Sequence, residues 1–230
     1  MKIFDPLNQL FVQFFQFLHT AVAGVIPDKN FSYGIAIILM TAIIKLILLP
    51  LNYKQTISML RMNDIQPEVK KLQDKYKGDP QKSQQEMMKL YKEKGVNPMG
   101  GCLPMLIQWP ILIALYYVFN SLKGINGVHF LWITDLGAHA TVGNVLSWIL
   151  PLLAGATTYL AGKLTTATGD SAQAKQASTM NVAMSVFLIV MSWNLSAALV
   201  LYWVIGNLFQ AGQTIFFKKI KERHSDVAKV

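Results

Sequence analysis

The chain has 230 residues, 53% of them hydrophobic and only 14% charged, with a formal net charge of +9. Apolar residues gathered in long uncharged runs exclude an ordinary soluble domain and predict an all-α polytopic membrane protein. The basic excess lies in one central segment and at the carboxyl end, a membrane-orientation pattern rather than a DNA-binding face. The single cysteine, Cys102, excludes an intramolecular disulfide and a multi-cysteine metal site.

In residues 1–30, Gln9, Gln13, Gln16 and Thr20 recur at helical spacing, with Leu7, Leu10, Phe11, Phe14, Leu18, Val22 and Val25 on the other side. This predicts an amphipathic helix over 4–26 lying on the extracytoplasmic membrane surface, an uncleaved extra span being the alternative. The next stretch, FSYGIAIILMTAIIKLILLPLN (31–52), is the first span: at ~1.5 Å per residue it reaches roughly 33 Å, enough to cross the hydrocarbon core. Its one charged side chain is Lys45. A lysine at the centre of a span costs about 2.5–3.5 kcal/mol, so it faces a bundle interior or a wet cavity, or else snorkels to the headgroups.

Residues 53–98 carry Lys54, Arg61, Lys70, Lys71, Lys75, Lys77, Lys82, Lys89, Lys92 and Lys94, which assigns this segment to the cytoplasm. Apolar positions at helical spacing, broken by GDP at 78–80, predict a helical hairpin, the alternative being an amphipathic pair flat on anionic lipid. Residues 99–121 form the second span, with bends at Pro104 and Pro110, and 122–143 an extracytoplasmic loop with Trp132 and Asp135. Residues 144–163 form the third span and 164–179 a flexible cytoplasmic loop. From Asn181 to Phe217 no charge appears, and one helix of that length would reach roughly 55 Å, too long for one crossing. Splitting it at SWNLS gives a fourth span (180–195) and a fifth (197–217), followed by a basic cytoplasmic tail (218–230). Five spans, amino end outside and carboxyl end inside, satisfy every charge cluster.

On the fifth span Trp203, Asn207, Gln210 and Thr214 share one helix face, with Gln213 beside it, and the second span offers Gln108, Tyr116 and Asn120. Each taken singly reads as packing glue between helices. Together with a lysine they predict a wet cavity opening inward. The histidines are scattered, no HExxH, GxSxG or glycine-rich phosphate loop is present, and the spans lack acidic residues, so no enzyme, cofactor or metal site is expected.

The order of an intramembrane basic residue followed by LLPLNYKQ, a charged loop with QPEVKKLQDKY and LYKEKGVNP, then GCLPMLIQWPILIALYYVF and LYWVIGNLFQAGQ closely resembles the YidC/Oxa/Alb family of membrane-protein insertases, in its compact Gram-positive form, over about residues 31–217. The resemblance implies a five-helix core in a bacterial plasma membrane, a cytoplasmic hairpin, and a hydrophilic groove open to cytoplasm and lipid. The family's groove residue is usually arginine; Lys45 keeps the charge without the planar bidentate fork, which makes carboxylate pairing less geometrically demanding and more pH-sensitive. Gln108, Trp203, Asn207 and Gln210 carry over as groove lining. Met59, Met62, Met87 and Met88 on the hairpin would offer adaptable contacts to an incoming segment, although a hairpin core is the commoner use of methionine. The implied partners are nascent membrane proteins, the Sec translocon, and, through the basic tail, the ribosome or anionic lipid, with a monomer sufficient. A small-solute or anion transporter binding at Lys45 is the rival reading, and a lipid-modifying or proteolytic membrane enzyme a weaker one.

Overall fold

The computed structural model describes residues 5–97, 103–166 and 170–227, and these are helical throughout apart from their connections. Helix α1 (Asp5–Val25) seats Phe15 and Leu18 in the core, Phe15 meeting Phe119 edge to face at 5.7 Å. Its buried stripe is narrower than the sequence pattern: Leu10 and Val25, read as part of the apolar side, are 60% and 82% exposed. Helix α2 (Lys29–Ile47) begins at Asp28, whose carboxylate accepts from the Asn30 amide at 2.8 Å and so satisfies one orphan donor of the first turn.

The first span is expected to run to Asn52, but α2 stops at Ile47. Pro50 lacks an N–H and crowds the preceding turn, so the helix breaks at Leu48 and restarts as α3 (Leu49–Asp64) with Pro50 in its first turn. Pro67 opens α4 (Gln66–Lys75) in the same way, and Asp79 caps α5 (Pro80–Glu93) by accepting from the Lys82 amide at 3.0 Å. Helices α4 and α5 fold against each other as a hairpin around Ile65, Val69, Leu90, Tyr91 and Val96.

Helix α6 (Leu103–Ser121) accommodates Pro110 in its interior, and α7 (Leu146–Thr165) packs extensively on both α8 (Ala172–Ser192) and α9 (Ala197–Val227). Among its described residues, the polar segment expected as a flexible loop over 164–179 is largely helix. Ser171 accepts from the Ala174 amide at 3.0 Å, and the alanine-rich run that follows is a strong helix former. The basic tail is likewise helical as far as Val227: Phe217 meets Tyr53 edge to face at 5.1 Å and Lys221 pairs with Asp64, so α9 runs down alongside α3.

Among the described residues α2, α8 and the Ala197–Arg223 part of α9 are long and apolar enough to cross a membrane. Met180, Val182, Val186, Phe187 and Val190 leave an apolar exterior along α8, of the kind hydrocarbon surrounds. This is an integral membrane protein. Its main core joins Ile37 and Met40 of α2, Leu115 and Val118 of α6, and Leu199 and Tyr202 of α9.

The loop between α6 and α7 is built into that core. Ile125, Val128, Phe130 and Leu136 are buried, and the carbonyls of Ala138 and Leu136 accept from the Ala197 and Ala198 amides at 2.9 and 2.8 Å, satisfying the first turn of α9. Gly34 permits this packing, since a Cβ there would stand 2.0 Å from the Phe130 ring. This loop is therefore packed into one end of the fold, whereas the hairpin and the far end of α9 extend from the other.

Candidate functional site

Lys45 occupies the last turn of α2, where the helix's unsatisfied carbonyls favour a positive charge, and it is only 9% exposed. It faces α9 at Gly206: a Cβ on that glycine would lie 3.4 Å from Lys45 Cε and 3.9 Å from Nζ, ordinary contact distances, so the lysine stem packs directly over the α9 backbone. A cavity of about 50 Å³ lies beside it, lined by Lys45, Gln108, Tyr202, Trp203, Gly206 and Asn207. Among the described residues no carboxylate pairs with Lys45 and no group of three or more His, Cys, Asp or Glu side chains could hold a metal ion.

The neutral members of the lining are fixed across three helices, α6, α7 and α9. Gln108 Nε2 on α6 donates to the Tyr202 hydroxyl on α9 at 3.0 Å. Asn207 turns its amide oxygen toward α7, accepting from Thr158 Oγ1 at 2.8 Å and from the Trp203 indole N–H at 3.1 Å; the same indole N–H lies 3.0 Å from Thr158 Oγ1. Below the lysine, Gln213 spans two helices. Its Nε2 donates weakly to the Lys45 carbonyl at 3.4 Å, while its Oε1 accepts from Asn52 Nδ2 at 3.1 Å. Such cross-helix bonds hold the polar groups where each buried donor or acceptor would otherwise cost about 1–3 kcal/mol.

Of the residues read from sequence, Lys45, Gln108, Trp203 and Asn207 meet around this cavity, but Gln210 does not line it. Tyr116 and Asn120 are exposed on α6. The sequence reading missed Tyr202, which reads as one more aromatic in an apolar span, Gly206, which has no side chain, and the α7 threonines Thr157 and Thr158, which lie in a run of small residues. Tyr202 stands next to Trp203 and is 2% exposed, so its hydroxyl had to find a partner.

The hairpin methionines divide. Met59 and Met62 line a larger cavity where α3 and the hairpin meet α7 and α8, Met62 and Met87 pack on the hairpin core, and Met88 is 44% exposed. Hydrogen bonds dock the hairpin to the start of α8: Ser171 Oγ donates to Gln66 Oε1 at 2.6 Å and the Tyr91 hydroxyl to Gln173 Oε1 at 2.7 Å. Burial pushes the Tyr91 hydroxyl above its ordinary pKa, partly offset by that bond, so it remains a neutral donor.

The sequence profile of the family described as 60Kd inner membrane protein matches residues 25–224, from the end of α1 through nearly all of α9. The chain belongs to that family. It is 56% identical over 219 residues to the membrane protein insertase YidC of Clostridium tetani, an alignment covering 95% of this chain and 96% of the relative. To the YidC of Clostridium acetobutylicum it is 61% identical over 211 residues, covering 91% and 83%, and to the insertase MisCA of Bacillus subtilis 43% over 205 residues, covering 87% and 75%. The family resemblance seen in the sequence motifs thus holds, Gram-positive forms included. The 60Kd inner membrane protein match takes in every residue of the cavity around Lys45 and the whole hairpin, and leaves most of α1 outside it.

Proposed function

We propose that this protein is a membrane-protein insertase of the bacterial plasma membrane, without catalytic chemistry, and that Lys45 is the charge of an inward-open hydrophilic groove. The observation that carries the reading is a buried lysine with no carboxylate partner among the described residues, standing in a cavity of neutral polar groups drawn from α6 and α9 and braced by α7. An acidic residue from the short hydrophilic tail of a newly made membrane protein supplies the missing countercharge. Attraction between the two is stronger in a partly dry cavity than in bulk water, and the neutral lining keeps it weak enough for release. The substrate's apolar segment then leaves along the lipid-facing side, driven by burial of apolar surface, with no nucleotide required.

Five membrane crossings, by α2, α6, α7, α8 and α9, put the hairpin and the basic end of α9 in the cytoplasm and the α6–α7 loop outside, with α1 lying on the outer surface. Gln108, Trp203, Asn207 and, at its mouth, Gln210 line the groove. Met59, Met62, Met87 and Met88 receive the segment first. The protein works as a monomer, alone or beside the Sec translocon, with anionic lipid or the ribosome at the α9 end. The test is purified protein in liposomes offered a single-span protein with an acidic translocated tail. Protease protection of that tail is expected; flux of anions or small solutes without insertion would replace this reading with a transporter.

A further inference from the structure

Lys45 is 9% exposed and meets no carboxylate among the described residues. A charge taken out of water has to be paired or given up, and the cost falls on the protein at all times, not only while a substrate is bound.

The cavity of about 50 Å³ beside the lysine is lined by more donors than acceptors. The ammonium brings its N–H groups and has no acceptor in bonding range among the described residues. The Tyr202 hydroxyl accepts from Gln108 Nε2 at 3.0 Å and so keeps its own proton to give. Asn207 turns its amide oxygen to Thr158 and the Trp203 indole, which leaves its Nδ2 without a bond among the described residues. On the acceptor side Gln108 Oε1 is the uncommitted amide oxygen of the lining. The Lys45 carbonyl, whose negative end at this helix terminus would repel an anion, is covered by Gln213 Nε2 at 3.4 Å.

Spare donors gathered around a buried positive charge fit an anion. A cation would meet repulsion and a single amide oxygen, and a neutral group would leave the lysine uncompensated. Size narrows the class further. A cavity needs about 10–15 Å³ to hold one water molecule. This one therefore admits a halide with a little water, and not the glycerophosphate of a lipid headgroup.

We infer that the cavity is an anion site, in which a small monovalent anion of the chloride type sits beside Lys45 as its countercharge, held by the ammonium, the Tyr202 hydroxyl and Asn207 Nδ2. A substrate carboxylate displaces this anion on arrival and is displaced by it on release, so the buried charge is never left bare. The exchange rests on the insertase reading; the anion site does not.

The experiment is chloride-35 NMR on the full chain in detergent, with chloride replaced stepwise by gluconate, an anion too bulky for the cavity, at constant ionic strength. Excess line broadening that saturates with chloride is expected, and acetate, which carries the substrate's carboxylate alone, should compete it away. Lys45→Met should weaken the apparent chloride affinity about tenfold or more, equal to about 1.4 kcal/mol or more. Lys71→Met, the same change of charge at an exposed hairpin position, should leave it unchanged. Tyr202→Phe should weaken it several-fold with the charge intact, and this variant decides the matter if Lys45→Met fails to fold. Wild-type broadening in both cavity variants would overturn the site by placing the anions on the basic surface. Absence of saturable broadening from the wild type would overturn it as well.

Insertion of a single-span protein with an acidic tail is followed in liposomes in the same two salts. Slower insertion in chloride than in gluconate supports the exchange, and insertion indifferent to chloride overturns it. Chloride binding without insertion keeps the site and removes the insertase reading, while insertion without chloride binding removes the site alone.

Discussion

Around Lys45 the polar side chains are tied across α2, α3, α6, α7 and α9, each on a helix that also contributes to or packs against the main core. The α4–α5 hairpin instead rests on five buried residues, surface ion pairs, and a few hydrogen bonds to α8. The difference assigns rigidity and motion. A site that must keep a lysine buried without its countercharge needs walls that cannot relax around it. A receiving element gains from local opening at low cost, and a small core with exposed hydrogen bonds belongs at the low-stability end of a structure.

The largest effect should come from breaking the rigid region at its charge. Lys45→Ala should lower insertion of a substrate with an acidic tail about tenfold or more, equal to about 1.4 kcal/mol or more, whereas Lys45→Arg should stay within a few-fold of wild type. In the hairpin, Leu90→Ala removes a buried side chain from the five-residue core and should cost about 2–3 kcal/mol locally. Hydrogen exchange should then accelerate across 66–93 while α7–α9 stay protected; equal acceleration in both would show that the hairpin and spans form one cooperative unit.

Asn207→Ala unties α9 from α7 and should cost about 1–2 kcal/mol, read as a lower melting temperature and a shift in Trp203 fluorescence. Gly206→Ala should change stability by no more than about 1 kcal/mol, because its Cβ meets Lys45 Cε at ordinary contact distance, while Gly206→Leu should displace the lysine and reproduce the insertion defect of Lys45→Ala. The smallest effect is expected from Lys94→Ala. Its partner Glu68 is 46% exposed, so loss of the pair should cost under about 0.5 kcal/mol by denaturant melt.

The helical membrane fold was legible because uncharged runs and charge clusters alternate along the chain. The cavity was partly legible, since Trp203 and Asn207 stand out as polar residues four apart in an apolar span and Lys45 as a lone charge. Gly206 and Tyr202 were not, because one acts by what it lacks and the other reads as ordinary apolar packing. The break at Leu48 was signalled by Pro50 but masked by the apolar run on either side. Docking of the hairpin on α8 was hidden for another reason: pairs such as Gln66 with Ser171 join distant segments, and no local periodicity encodes them.

The central claim is that water reaches Lys45 from the side carrying the hairpin and not from the side occupied by the α6–α7 loop. Lys45→Cys in a Cys102→Ser background, probed in oriented vesicles with a membrane-impermeant maleimide, tests it most directly. Modification from the hairpin side alone is the predicted result. Modification from the loop side, or from neither, would contradict the account.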